Sequence, residues 1–421
     1  MTVKLPYDVV GEVINHLSDD KRSLRACSLI CKATVPLCRR HIFSEINIRK
    51  EVRGFADLLD RIPETANRVR TLRLAFGDLQ YENDAVECCQ SFLKLNGLHT
   101  IELEFHHSSS CEEKFLEDIK LVLFHLLSLP SVSTLELNCE GHYDSTACRP
   151  AFVYLARIRN LKTLILNSDS FDIPHGVQPS FTGPSLGFLD LSYFPLGKLH
   201  IVKQYITKHV FDLSLLETLK IGGRSKDERV AVQDIIQSCV PTLRNLTCYS
   251  CAPCPLQLEG MPGLPFLRVF NLDLCWETAW VTKSDLWVQK LANQHVTTAE
   301  IQALFNVLSN CPELNEINIS IHFGNTTSRD PRQFYNSVAS VVDWKRCLKM
   351  CKLMDASLSG LQSEKLELVS FTLHMESLEV GGDGVVVRRF FPFLSARGIL
   401  RVSAISEEYR RPIIYVERDK A

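Results

Sequence analysis

An apolar triplet, in which the second residue follows the first by three positions and the third by five, recurs ten times along the chain. No other feature limits the fold as much. Clear copies are Val69/Leu72/Leu74, Leu98/Ile101/Leu103, Val132/Leu135/Leu137, Leu161/Leu164/Leu166, Leu186/Leu189/Leu191 and Leu216/Leu219/Ile221. Weaker copies are Leu243/Leu246/Cys248, Leu267/Phe270/Leu272, Leu314/Ile317/Ile319 and Leu368/Phe371/Leu373. Their first residues are separated by 29, 34, 29, 25, 30, 27, 24, 47 and 54 positions. The last two members of each triplet alternate with another residue, as in a short strand with one buried face. Between copies, Asp84–Leu95, Glu112–Leu129, Arg149–Arg157, Lys226–Val240 and Glu300–Leu308 carry apolar residues at three- and four-residue spacing and are expected to be helices. A strand and a helix in alternation give a parallel sheet, because the helix supplies the crossover that parallel neighbours need.

The first seven intervals bracket the period of a leucine-rich repeat. From residue 49 to 421 the chain resembles an irregular array of such repeats. The resemblance implies an α/β fold, a curved parallel sheet with helices on its outer face. That family usually places Asn or Cys three residues after the last Leu of the motif. Here the position holds Gly77, His106, Glu140, Asp169, Phe194 and Arg224, and only Cys251 and Cys275 conform. An uneven superhelix is expected.

If the triplets point inward, the residues between them point to the opposite, accessible face. One outward column reads Thr71, Thr100, Thr134, Thr163 and Thr218, which strand propensity and cross-strand packing explain. The next reads Arg73, Glu102, Glu136, Ile165, Asp190, Lys220, Thr247 and Asn271, with Glu104, Asn138 and Asp273 one step further along. Solenoids commonly bind through such a surface. The candidate target-binding residues are therefore Arg73, Glu102, Glu104, Glu136, Asn138, Asp190, Lys220, Asn271 and Asp273. Their carboxylates tilt the face acidic and suit a basic ligand segment. The alternative is that Arg73, Lys220 and solvent already neutralise it.

Residues 1–48 follow a different pattern. Val9, Val10, Val13, Ile14 and Leu17 share one helical face behind Pro6, and Ser18-Asp19-Asp20 breaks the run. A second helix carries Leu24, Cys27 and Cys31 on one face, with Ala26, Leu29, Ile30 and Ala33 close to it. Thr34 is placed to cap a third helix, with Pro36 in its first turn and its end near Phe43. Modules of about forty residues usually need a metal, disulfides or a partner to be stable. So dense an apolar face either docks on the rest of the chain or meets another protein.

The run Leu5-Pro6, Val9, Ile14, Leu17, followed by Leu24, Ser28-Leu29 and Cys31-Lys32, resembles an F-box. This is the helical module that binds the Skp-family adaptor of cullin–RING ubiquitin ligases. Such F-box proteins usually place Trp two or three residues after the Cys-Lys pair, where this chain has Thr34-Val35. With the repeats behind it, the whole resembles a fungal-type F-box protein with degenerate leucine-rich repeats. The resemblance implies that Leu5, Pro6, Val9, Val10, Val13, Ile14, Leu17, Leu24, Ser28, Leu29, Cys31 and Lys32 bind the adaptor, and through it a cullin. It implies equally that the repeats hold a protein destined for ubiquitination. The alternative is a repeat scaffold without ligase function.

Composition narrows the remaining classes. A net charge of −2 argues against a general nucleic-acid or membrane-surface binder. Leu121–Leu129, the longest apolar stretch, falls short of a membrane span and is broken by His125. Met1-Thr2-Val3-Lys4 leads straight into the first helix, so no signal peptide and a cytoplasmic or nuclear location are expected. No phosphate loop, zinc helix or nucleophile elbow occurs, so neither an enzyme nor a cofactor is expected.

Cys248, Cys251 and Cys254, with Cys239 nearby, resemble three quarters of an iron–sulfur run. Cys248 occupies an inward triplet position and the fourth cysteine is missing, so no metal is expected. The pairs Cys27/Cys31 and Cys347/Cys351 read as core thiols, and His106-His107 as a solvated loop. Three insertions interrupt the array: Ser168–Ser185, Cys275–Thr298 and Gly324–Gln333. The second carries Trp276, Trp280 and Trp287, either as a recognition loop or packed on its own repeat.

Overall fold

The computed structural model describes residues 6–76, 84–105, 114–115, 117–139, 158–168, 183–192, 199–207, 211–223, 229–251, 263–276, 305–323, 344–361, 365–375, 391–406 and 412–415. It forms two compact units, Met1–Ser185 with Lys208–Asp212, and Leu186–Thr207 with Leu213–Ala421. The expected helix Arg149–Arg157, the insertion Gly324–Gln333, and His106 and His107 lie outside the described residues.

Unit 1 opens with three short helices, α1 (Tyr7–His16), α2 (Lys21–Ser28) and α3 (Val35–Ile42). Asp20 caps α2, accepting from the backbone N–H groups of Arg22 and Ser23 (both 3.0 Å). Thr34 does not cap α3. Its backbone is already helical (φ −79°, ψ −22°), and its buried hydroxyl donates back to the carbonyls of Cys27 and Cys31 (both 2.8 Å). The helices pack on a small core of Ile14, Leu24 and Cys38, flanked by Val10, Leu17, Cys27, Leu37 and Ile42.

Strand β1 (Glu45–Ile48) follows, so the sheet begins before residue 49. It pairs in parallel with β2 (Thr71–Ala75), then come β3 (Thr100–Phe105), β4 (Thr134–Cys139) and β5 (Thr163–Ser168), each parallel to the one before. The register stacks Leu72, Ile101, Leu135 and Leu164 in one row and Leu74, Leu103, Leu137 and Leu166 in the next, all buried. Each such side chain contributes roughly 1.5–3 kcal/mol by leaving water. Helices α4 (Val52–Arg61), α5 (Ala85–Gln90) and α6 (Lys120–Ser128) add Phe55, Leu59, Cys89, Val122 and Leu126 to that core.

Unit 2 repeats the scheme. Strands β6 (Phe188–Leu191), β7 (Thr218–Gly223), β8 (Asn245–Cys251), β9 (Val269–Trp276), β10 (Glu316–Phe323), β11 (Leu368–Met375) and β12 (Leu400–Ser406) run parallel in sequence order. β13 (Pro412–Tyr415) closes the edge antiparallel to β12. Helices α7 (Leu199–Thr207), α8 (Arg229–Gln237), α9 (Trp344–Ser359) and α10 (Pro392–Ala396) lie between strands in the chain. The inward rows are Leu189, Leu219, Leu246, Phe270, Ile317 and Val369, then Leu191, Ile221, Cys248, Leu272, Ile319 and Phe371.

That register corrects the last triplet. Val369 stands beside Ile317 and Phe371 beside Ile319, so the motif is Leu366/Val369/Phe371 and Leu368 lies half-exposed. Phe391 stacks on Phe371 at 4.0 Å between ring centroids, closing the core at that end. Among the described residues, no helix is long and apolar enough to cross a membrane.

Candidate functional site

Two surfaces collect the residues that the sequence singles out. On the N-terminal helices the small core divides the expected adaptor-binding set. Ile14 and Leu24 are buried in it and Val10 and Leu17 pack against it, so the first two help to hold the helices together. Ser28 is half-buried and its hydroxyl donates to the Arg25 carbonyl (2.6 Å). Pro6, Val9, Val13, Leu29, Cys31 and Lys32 are exposed, and Leu5 lies outside the described residues.

Five of the eleven exposed large apolar side chains among the described residues, Tyr7, Val9, Val13, Leu29 and Ile30, fall within this short stretch. Leu29 and Ile30 are 86% and 74% exposed. Val9 and Val13 lie one turn apart on α1. Tyr7 Oη donates to the Ala33 carbonyl (3.5 Å), tying the start of α1 to the turn that follows α2. The module therefore has a core of its own and still leaves five large apolar side chains in water, as interaction sites do.

The second surface is the outward face of the strands. In unit 1, Glu45 and Glu102 flank Arg73: Arg73 Nε is 2.7 Å from Glu102 Oε2, and its Nη2 is 3.4 Å from Glu45 Oε1. Glu104 pairs with Arg49 at 3.5 Å. Glu136, beside Glu102 in the register, accepts from Asn138 Nδ2 (2.9 Å) and Asn167 Nδ2 (3.5 Å), and Asn167 also donates to Asn138 Oδ1 (2.9 Å). Burial pushes the Glu102 carboxyl above its usual range, with Arg73 opposing.

In unit 2, Asp190 is buried. It accepts from the Ser192 backbone N–H (3.0 Å) and pairs with Lys220 Nζ (3.2 Å), which sits 5.3 Å from the Phe188 ring centroid. Asn318 Nδ2 donates to Asn271 Oδ1 (2.9 Å), and Asn271 Nδ2 to Thr247 Oγ1 (3.1 Å), a side-chain ladder crossing three strands. Asp273 is half-buried, in register with Tyr249 and Ser320.

These partners favour the alternative in which Arg73 and Lys220 neutralise the face. Glu102, Glu104 and Asp190 are each ion-paired within their own unit, and Asp190 is closed to a ligand. The basic ligand segment expected from that charge loses its warrant. Asn167 and Glu45 also belong to the outward face of unit 1, and Asn318 to that of unit 2. Their signal was available, since Asn167 and Asn318 repeat the outward positions of Asn138 and Asn271.

Cys248 is fully buried in β8, and burial pushes its thiol up to about 12. The side chain of Cys251 and the whole of Cys254 lie outside the described residues, as do Trp280 and Trp287. Among the described residues, no group of three or more His, Cys, Asp or Glu side chains is placed to hold a metal ion. A scan of protein-family models finds none that matches this chain, and a search of curated proteins finds no matching sequence.

Proposed function

We propose that this chain is the substrate-recognition subunit of an SCF-type cullin–RING ubiquitin ligase, working in the cytoplasm or nucleus. Its N-terminal helices hold a Skp-family adaptor and its repeats hold a target protein. One observation supports the reading above the others: a three-helix module with a private core leaves Tyr7, Val9, Val13, Leu29 and Ile30 exposed. Those residues lie within the run that resembles an F-box. The chain contributes no reacting group. It raises the effective concentration of a target lysine near a ubiquitin-loaded conjugating enzyme and orients it there.

The test is binding of the full chain to a purified Skp-family adaptor, with wild type compared to Val9→Asp/Val13→Asp. Both valines are exposed, so melting should stay within a few degrees of wild type. Charging an apolar contact on two turns should weaken adaptor binding at least a hundredfold. A wild-type chain that fails to bind the adaptor, or a double variant that binds equally well, defeats the reading and leaves a repeat scaffold.

A further inference from the structure

The residue just before each triplet is polar or Gly in the first five repeats: Arg68, Gly97, Ser131, Asn160 and Ser185. In unit 2 it becomes Leu215 before β7 and Phe266 before β9, which are 59% and 52% exposed. With Pro241 and Thr242 between them they flank a groove of about 560 Å³. Nothing in the repeat logic requires large apolar groups there, and both stand among the few large apolar side chains left in water.

The groove also has a charge pattern. Glu217, Arg244 and Arg268 take equivalent places on three consecutive rungs. The Arg244 N–H donates to the Glu217 carbonyl (2.9 Å) and the Arg268 N–H to the Arg244 carbonyl (2.8 Å). The two arginines thus stand side by side just ahead of β8 and β9, about 4.8 Å apart along the sheet, where like charges oppose each other. Glu217 meets Arg244 only loosely, at 3.9 Å between half-exposed groups. Glu313, on the rim, is taken by Lys365 at 2.6 Å, and that contact holds its carboxyl below the usual range. Among the described residues, no ion pair involves Arg268, although its charge also acts on Glu313 and adds a smaller part to the lowering of that carboxyl.

We propose that this groove binds a short linear segment of a partner protein that carries a carboxylate side chain next to a large apolar one. The carboxylate meets Arg268 and Arg244, and the apolar group lies between Leu215 and Phe266. Glu217 and Glu313 on the rim disfavour a polyanion such as nucleic acid, whose phosphates would face both carboxylates. The groove shares no residue with the N-terminal module, and its test needs no adaptor, so its outcome is separate from that of the ligase reading.

The probe is a capped, fluorescein-labelled peptide containing Glu-Leu-Glu-Phe, followed by anisotropy on the full chain, with Gln-Leu-Gln-Phe as control. The acidic peptide should bind saturably and at least tenfold more tightly than the control. Raising salt should narrow the gap. Arg244→Glu/Arg268→Glu should remove that preference, and Leu215→Ser/Phe266→Ser should weaken both peptides at least tenfold. All four side chains are exposed, so unchanged melting curves are expected, and the milder Arg268→Gln should lower acidic-peptide affinity in the same direction. Absence of saturable binding by wild type, equal binding of the two peptides, or full acidic-peptide binding by folded double variants overturns the proposal.

Discussion

Thr34 shows how one dihedral pair decides what a side chain does. A capping hydroxyl needs an extended backbone at its own residue, so that it can reach forward to the free N–H groups of the next turn. Thr34 is helical instead, and its hydroxyl turns back to the carbonyls of Cys27 and Cys31. The same turn sets the chemistry of Cys31, an exposed thiol held below its ordinary range by the Thr34 backbone N–H and hydroxyl. Cys239 and Cys248 are the opposite case: burial pushes both thiols up to about 12, so the reactive thiolate is scarce at neutral pH. Iodoacetamide at pH 7.5 should therefore alkylate Cys31 in the native protein and leave Cys239 and Cys248 intact until denaturant is added. Peptide mass mapping before and after unfolding reads this directly. Native labelling of Cys248 at the rate of Cys31 would mean that the third triplet position of β8 is open to solvent.

At the scale of elements, α10 has only five residues and little intrinsic stability, yet it is held at both ends. Asp355, buried on α9, accepts from the backbone N–H groups of Phe393 and Leu394 (both 2.9 Å), a cap supplied from another helix. Gly398 ends the turn at φ +68°, a conformation open to glycine without strain. Asp355→Ala strands two N–H groups and should cost about 2–3 kcal/mol, whereas Asp355→Asn keeps one acceptor and should cost less. Denaturant midpoints of the three proteins check the order, and equal midpoints refute the cap.

Elements also differ in how far the sequence discloses them. The triplets are legible because every repeat buries the same rows. Strand β1 is harder to see: its triplet Phe43/Ile46/Ile48, which stands in register with Leu72 and Leu74, begins on the residue that ends α3 and so reads as the tail of a helix. Helix α4 does have a sequence signal, since Val52, Phe55, Ala56 and Leu59 stand at three- and four-residue spacing and are its buried face, but it opens at Glu51 without a side-chain cap to mark its start. The last triplet is misplaced because Leu366 and Leu368 both suit its first position, and only the alignment with Ile317 chooses Leu366. On the outward face, the sequence reveals the carboxylates and two of their partners, Arg73 and Lys220, but not the others. Arg49 reaches Glu104 from beyond the end of β1, and Ser192 meets Asp190 after the end of β6. Pairing of that kind is set by where chain ends fold back, which no local pattern encodes.

For the molecule as a whole, the connectivity of the strands predicts how stability is distributed. Within each unit every parallel strand pairs with its neighbours in sequence, so buried rows are built from adjacent repeats. Stability in such an array is close to a sum of repeat and neighbour contributions, not one all-or-none quantity. Leu135 is fully buried on β4 of the unit 1 sheet, between Ile101 and Leu164. Leu135→Ala should cost about 2–5 kcal/mol locally. Native-state hydrogen exchange should then quicken at amides of β3, β4 and β5 and stay unchanged in β9, β10 and β11, whose buried rows contain none of its neighbours. Exchange followed by proteolysis and mass spectrometry resolves these segments. An equal acceleration in both sets would mean that the two units unfold as one cooperative body, and the additive account of the repeats would have to be abandoned.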